Sequence, residues 1–125
     1  MAKTVASRKA KGRKLQQEIA NRIGKLLQMK VGKDEMIASR EMGQSGTDIR
    51  LIGKAKELFP YSIETKNQES WSIHSWIQQA KSNVEKETHW LLFCRRNRME
   101  PVVIMDSETF FELYEVLLTY AGDIK

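Results

Sequence analysis

Apolar residues recur along the chain with two different periods, and the points where the period changes mark out the elements. Leu15, Ile19, Ile23 and Leu26 stand at helical spacing within Lys9 to Met29, which predicts an amphipathic first helix that Gly24 weakens slightly. Val31 to Glu35 is polar and turn-like, Met36 to Arg40 reads as a short strand, and Gly43-Gln44-Ser45-Gly46 as a loop. From Thr47 to Ile52 the period becomes two, with Ile49 and Leu51 set against Asp48 and Arg50, as in a half-buried strand. After a loop around Glu57 to Pro60 the alternation resumes from Tyr61 to Lys66. Tyr61, Ile63 and Thr65 then share one face, and Ser62, Glu64 and Lys66 the other.

A second helix from about Ser72 to Lys86 places Ile73, Trp76, Ile77, Ala80 and Val84 on one stripe. His89 to Arg95 and Val102 to Met105 are apolar runs of strand length. A last helix opens at Ser107, a capping residue, and is expected to bury Phe110, Leu113, Tyr114 and Leu117. The order α-β-β-β-α-β-β-α, with about five strands, places the chain in the α/β class.

Composition narrows the picture. A chain of 125 residues, 41% hydrophobic and 30% charged, fits one folded domain and is far from the balance of a disordered chain. No apolar run approaches the roughly 18–20 residues of a membrane span, and Met1 to Val5 lacks the apolar middle of a signal peptide, so a soluble, intracellular and cytoplasmic protein is expected. The single cysteine, Cys94, excludes an internal disulfide and reads as a small core residue.

The formal charge is +5 and the pI near 9.4, and the distribution of that charge says more than its size. Lys3, Arg8, Lys9, Lys11, Arg13 and Lys14 fall in the first fourteen residues with no acid among them. We read residues 1–12 as a flexible basic arm ahead of a single domain, 13–125. Arg95, Arg96 and Arg98 form a second cluster. The arm suits phosphate contacts, because neutralising phosphates releases condensed counterions whatever the base sequence; a solubilising tail is its plainer alternative.

The sharpest chemical feature is Asp48 followed sixteen residues later by Glu64-Thr65-Lys66. Two carboxylates and an ammonium on neighbouring strands can meet at one sheet edge, where carboxylates suit a hard cation such as Mg²⁺. Such an ion polarises a phosphate and acidifies water, and a lysine offsets the charge that develops in phosphoryl transfer. His74 and His89 have no ligand at metal spacing on their own elements, and no serine sits in a nucleophile elbow. Trp76 and Trp90 read as core, while Trp71, in the loop after Glu69, is left open between packing and base stacking.

Taken with the element order, these residues resemble the PD-(D/E)xK nuclease superfamily. The matching stretches are Lys11 to Leu27, Ser45 to Ile49, Phe59 to Asn67 and Trp76 to Ala80. The size, Gly46 shortly before Asp48 and the Gln79-Ala80 pair look like the Holliday-junction-resolvase branch, including phage-encoded members. Thr47 stands where the superfamily name has proline.

The resemblance implies a restriction-endonuclease-like core, a mixed sheet of about five strands flanked by helices. It implies catalytic roles for Glu18, Asp48, Glu64, Lys66 and Gln79. Metal would be held by Asp48, Glu64 and the main-chain carbonyl of Thr65, with Glu18 assisting. Mg²⁺ is the expected ion, with Mn²⁺ able to substitute.

It also implies a homodimer acting on branched DNA such as a four-way junction, inside a cell that a phage has infected. DNA contacts are expected from Lys3, Arg8, Lys9, Lys11, Arg13, Lys14, Ser39 and Arg40. Glu18 as one more solvated helix charge, Gln78 in place of Gln79, and Arg40 as an ordinary strand-edge charge all stay open. Two other readings compete with junction resolution: a nicking or restriction-like nuclease of the same class, and a non-catalytic nucleic-acid-binding module.

Overall fold

The computed structural model describes residues 4–41 and 46–122. Helix α1 (Val5–Leu27) leads into strands β1 (Ile37–Ser39) and β2 (Ile49–Leu51), and a short helix α2 (Gly53–Leu58) precedes strand β3 (Tyr61–Asn67). Helix α3 (Ile73–Ser82) then leads to strands β4 (His89–Arg95) and β5 (Val102–Met105) and to helix α4 (Ser107–Tyr120). The five strands form one sheet in the order β1-β2-β3-β4-β5. All pairs are antiparallel except β3 with β4, which run parallel from Tyr61 opposite His89 to Asn67 opposite Arg95. The expected mixed five-stranded sheet flanked by helices is therefore present, and the parallel pair is joined, as it must be, through a helix.

Two cores cover the two faces. Leu15, Ile19, Ala20 and Ile23 of α1 pack on Ile37, Ile49, Leu51 and Ile63, and on the other face Trp76 and Ala80 of α3 pack on Trp90, Leu92 and Cys94. Strand β3 lies between them and is buried on both sides, so the polar residues of its α3 face, Ser62 and Glu64, are taken out of water. Gly24 has a positive reason to be glycine: a Cβ there would come within 2.5 Å of Val31 Cγ2, so the chain leaving α1 can fold back only against a bare Cα. Among the described residues no helix is long and apolar enough to cross a membrane.

Several boundaries differ from the periodicity. Helix α1 begins at Val5, capped by Thr4, whose Oγ1 accepts from Ser7 N at 3.0 Å. The basic residues expected in a flexible arm are thus carried from residue 5 onward as the first turns of a helix, where Lys, Arg and Ala are good helix formers. Leu26 is exposed and does not join the stripe of α1. The expected loop before Pro60 contains α2, six residues, too short for a period to show.

The second helix stops at Ser82, four residues early, because Ser62 Oγ accepts from Glu85 N and Asn83 turns in toward β3; Val84 and Ile73 are exposed. The cap of the last helix is Asp106, one residue before Ser107, accepting from Glu108 N at 3.3 Å. The largest departure is α4 itself. Phe110, Leu113, Tyr114 and Leu117, expected in the core, are exposed, and Thr109 is the residue this helix buries.

Candidate active site

Asp48 sits just before β2 and its backbone is held from three directions. Its N–H donates to Ile63 O at 2.9 Å, and its carbonyl accepts from Arg40 N at 2.8 Å and from Gln16 Nε2 at 2.7 Å. The carboxylate is fixed as firmly: Oδ2 accepts from Thr65 N at 2.7 Å and Thr65 Oγ1 at 3.3 Å. Charge-assisted bonds of this kind are among the stronger ones in proteins, and here they clamp an acid from one strand onto the middle of the next.

Glu64 is only 1% exposed, an unusual place for a carboxylate. Asn83 Nδ2 donates to its Oε1 at 2.8 Å, while its Oε2 is buried with no hydrogen-bond partner. Burial, and next the neighbouring charge of Asp48, push the carboxyl up to about 8, against weaker opposing effects of the Asn83 bond and the Lys66 ammonium. A carboxyl buried beside a second carboxylate costs desolvation that the Asn83 bond and the Lys66 charge offset only in part. A positive charge placed there would offset that cost. The donor set, two carboxylates with the Thr65 main chain beside them, is all oxygen and suits a hard divalent cation. Among the described residues no cluster of three or more His, Cys, Asp or Glu is present, so any ion would be completed by solvent or substrate oxygens.

Lys66 projects on the Glu64 side of β3, with Nζ 5.9 Å from the centroid of the Trp76 ring, which steadies the ammonium by a cation–π contact. Asp48, Thr65, Lys66 and Asn67 line a cleft of about 520 Å³ closed on its far side by Arg8, Lys11, Gly12 and Gln16 of α1. A second cavity of about 430 Å³ shares Lys11 and Asn67 with the first and is otherwise lined by Lys14 and the β4–β5 hairpin, including Arg95, Arg96 and Arg98. The hairpin is tied back: Glu69 Oε2 accepts from Asn97 N at 3.0 Å, and the Arg96 guanidinium lies 5.3 Å from the Trp71 ring centroid. Trp71 thus supports a cationic side chain, and its Nε1 donates to Gln68 O at 2.8 Å. Together the cavities form a basic trough with Asp48 at one end, while Glu64 is buried behind it and lines neither cavity.

Not every expected residue reaches this place. Glu18 makes a two-pronged ion pair with Arg95, at 2.5 and 3.3 Å, and does not line the cleft. The residue that α1 does send in is Gln16, 2% exposed, whose Nε2 also reaches Ser39 Oγ at 2.8 Å and Arg40 O. Gln78 and Gln79 are both exposed on α3, and Asn83, at the C-cap of that helix, is the amide that meets Glu64. Ser39 and Arg40 serve here as anchors for Gln16 and Asp48, with Arg40 Nε buried and unpaired. Lys9 and Arg13 are exposed and line neither cavity, and Lys3 lies outside the described residues.

Gln16 and Asn83 left one trace in the sequence: each is a short polar side chain on or beside an apolar helical stripe. Cys94 is buried, its thiol pushed up to about 11 by that burial, and it takes no part.

Neither the curated proteins nor the solved structures offer a match to this chain. A protein-family model described as "Phage putative PDDEXK endonuclease" matches residues 7–123, which covers α1 from its third residue, the whole sheet and α4. With that extent of agreement, and a fold and cleft of the expected kind, the chain belongs to this phage PDDEXK endonuclease family.

Proposed function

We propose that the protein is a divalent-metal-dependent DNA endonuclease that resolves four-way junctions as a homodimer in the cytoplasm of an infected cell. The observation that carries the catalytic part of this reading is the buried Glu64 carboxyl, with Oε2 unpartnered beside Asp48. Asp48, Glu64 and the Thr65 carbonyl would hold the cation, Mg²⁺ or Mn²⁺. When bound, the ion supplies the positive charge that neutralises the scissile phosphate and favours ionisation of a nearby water.

The chain's own residues do the rest. Thr65 and Gln16 keep Asp48 fixed, so the carboxylates meet the substrate without reorganising. Lys66 brings a fixed ammonium to the charge that builds on the phosphate oxygens. Lys11, Lys14, Arg96 and Arg98 receive the flanking backbone, contacts that position a strand without reading its sequence.

The test is cleavage of supercoiled plasmid and of four-way, flap and linear DNA of equal length, with Mg²⁺ and with chelator, in excess competitor duplex. Metal-dependent cutting with paired symmetric nicks in the junction is the expected result. Cutting of every substrate at equal rate would leave a general nuclease of the same class, and binding without cutting under any metal would overturn the enzyme.

A further inference from the structure

At the end of the sheet remote from the cleft the molecule exposes what a folded domain normally hides. Helix α4 is the most apolar helix of the chain by mean hydropathy, yet Phe111 is 64% exposed and Tyr120 91% exposed. Val102 and Val103 on the edge strand β5 are exposed as well, opposite Cys94 and Phe93 of β4. Scaled by the ~150–250 Å² that large side chains can bury, the exposed apolar residues of β5 and α4 leave roughly 900 Å² uncovered, about 600 Å² of it on Phe110, Leu113, Tyr114, Leu117 and Tyr120 of α4. A monomer's largest apolar patch is typically about 300–600 Å², whereas a stable interface takes about 800 Å² from each partner.

The pattern on α4 says what kind of surface would cover it. Phe110, Leu113, Leu117 and Tyr120 repeat at the alternating three- and four-residue spacing of a helix–helix seam, with Tyr114 alongside. The only charged residues of α4 are Glu108, Glu112 and Glu115, and at about 3.6 residues per turn they fall on the opposite side from that seam. Glu112 there lies 3.5 Å from His89 of β4. Two copies of the seam can therefore meet without bringing their glutamates together. The seam itself offers no cation to a polyanion, so DNA is not its occupant, and the polar side of the helix carries glutamates where a helix lying on an anionic lipid surface carries Lys and Arg.

We propose that the α4–β5 face is the interface between two copies of this chain, with α4 packed antiparallel on α4 across a two-fold axis. The inference rests on the dimeric part of the function proposed above and gives it a location. It also fits the site. His89 and Arg95 are at opposite ends of β4, about 20 Å apart at ~3.3 Å per residue, so a pair formed at the His89 end leaves both basic troughs open to substrate.

The full-length chain, weighed by light scattering or sedimentation from 1 to about 100 µM, tests this. Wild type is expected at twice the monomer mass. Phe110→Glu with Leu117→Glu should raise the dissociation constant at least ~100-fold, whereas Leu26→Glu, an exposed leucine of α1, should leave it unchanged. Hydrogen exchange read on wild type alone should show residues 107–120 gaining protection as concentration rises, whether or not the charged variant folds. A monomeric wild type at 100 µM, or a dimer indifferent to the α4 substitutions, overturns the proposal. Asp48→Ala should be inactive and still dimeric, so failure of the interface and failure of the nuclease reading give different results.

Discussion

The carboxylate cleft and the α4–β5 face break the same rule of folding in opposite directions. In and behind the cleft, Gln16, Thr65 and Glu64 are polar and buried; on α4, Phe110, Phe111 and Leu117 are apolar and exposed. Each arrangement costs stability in an isolated chain, the first through desolvation and the second through apolar surface left in water. The difference lies in what would repay the cost. The cleft has an orphaned acceptor and a cationic rim, which call for a cation and a polyanion; the face has a seam without charge, which calls for another apolar surface. Misplaced polarity and misplaced hydrophobicity are thus both informative, and they point to partners of different chemistry.

The most severe way to break the comparison is to remove the buried carboxylates. Asp48→Ala or Glu64→Ala should lower plasmid cleavage in Mg²⁺ by more than about 10²-fold, while DNA affinity in chelator stays equal or tightens as negative charge near the phosphate is lost. Mutant rates equal to wild type, in protein free of contaminating nuclease, would remove these residues from the site.

Gln16→Leu acts next, through structure. It leaves the carbonyls of Arg40 and Asp48 short of a buried donor, at a cost of about 1–3 kcal/mol, so thermal unfolding should show Tm lower by roughly 5 °C or more. Because Asp48 loses its brace, cleavage should fall by ~10-fold as well, measured below the new Tm. A variant as stable as wild type would show that water replaces the amide.

A smaller effect tests whether the cleft really is destabilised by its charge. Folding raises the Glu64 carboxyl from its ordinary 4.5 to about 8, so between those values the folded state holds a proton that the unfolded state has released. The stability contribution of this group is fully present below pH 4.5, declines as pH rises, and is lost by about pH 8. Metal-free wild type should therefore lose Tm from pH 5 to pH 8 relative to Glu64→Gln, and added Mg²⁺ should restore part of it at pH 8. Parallel pH profiles for the two proteins would refute the premise.

The mildest prediction concerns the trough. Arg96→Gln with Arg98→Gln should weaken binding a few-fold to every DNA shape and make the slope of log affinity against log salt shallower by about 1–2, leaving the rate of bound substrate unchanged. Lys25→Gln, outside both cavities, serves as the control.

Much of this was legible locally. The alternation through Ile49, Leu51 and Ile63 determined two neighbouring strands, and that same alternation put Glu64 and Lys66 on one side of the second. The opening of α1 was harder to place, because good helix formers rich in positive charge read equally well as an arm; Thr4 and the helix it caps settled it. The amides Gln16 and Asn83 were legible only as polar residues beside an apolar stripe. Glu18 and Gln79 occupy the expected places in sequence, but which helical side chain reaches a sheet edge depends on the rotation and crossing of helix on sheet, and here those send Gln16 and Asn83 instead. For α4 the sequence by itself determined an apolar helix opening beside Ser107, to which the structure gives 14 residues. Only the tertiary structure decided that its apolar side faces outward, because a hydrophobic period reports that a surface must be covered and carries no information about which chain covers it.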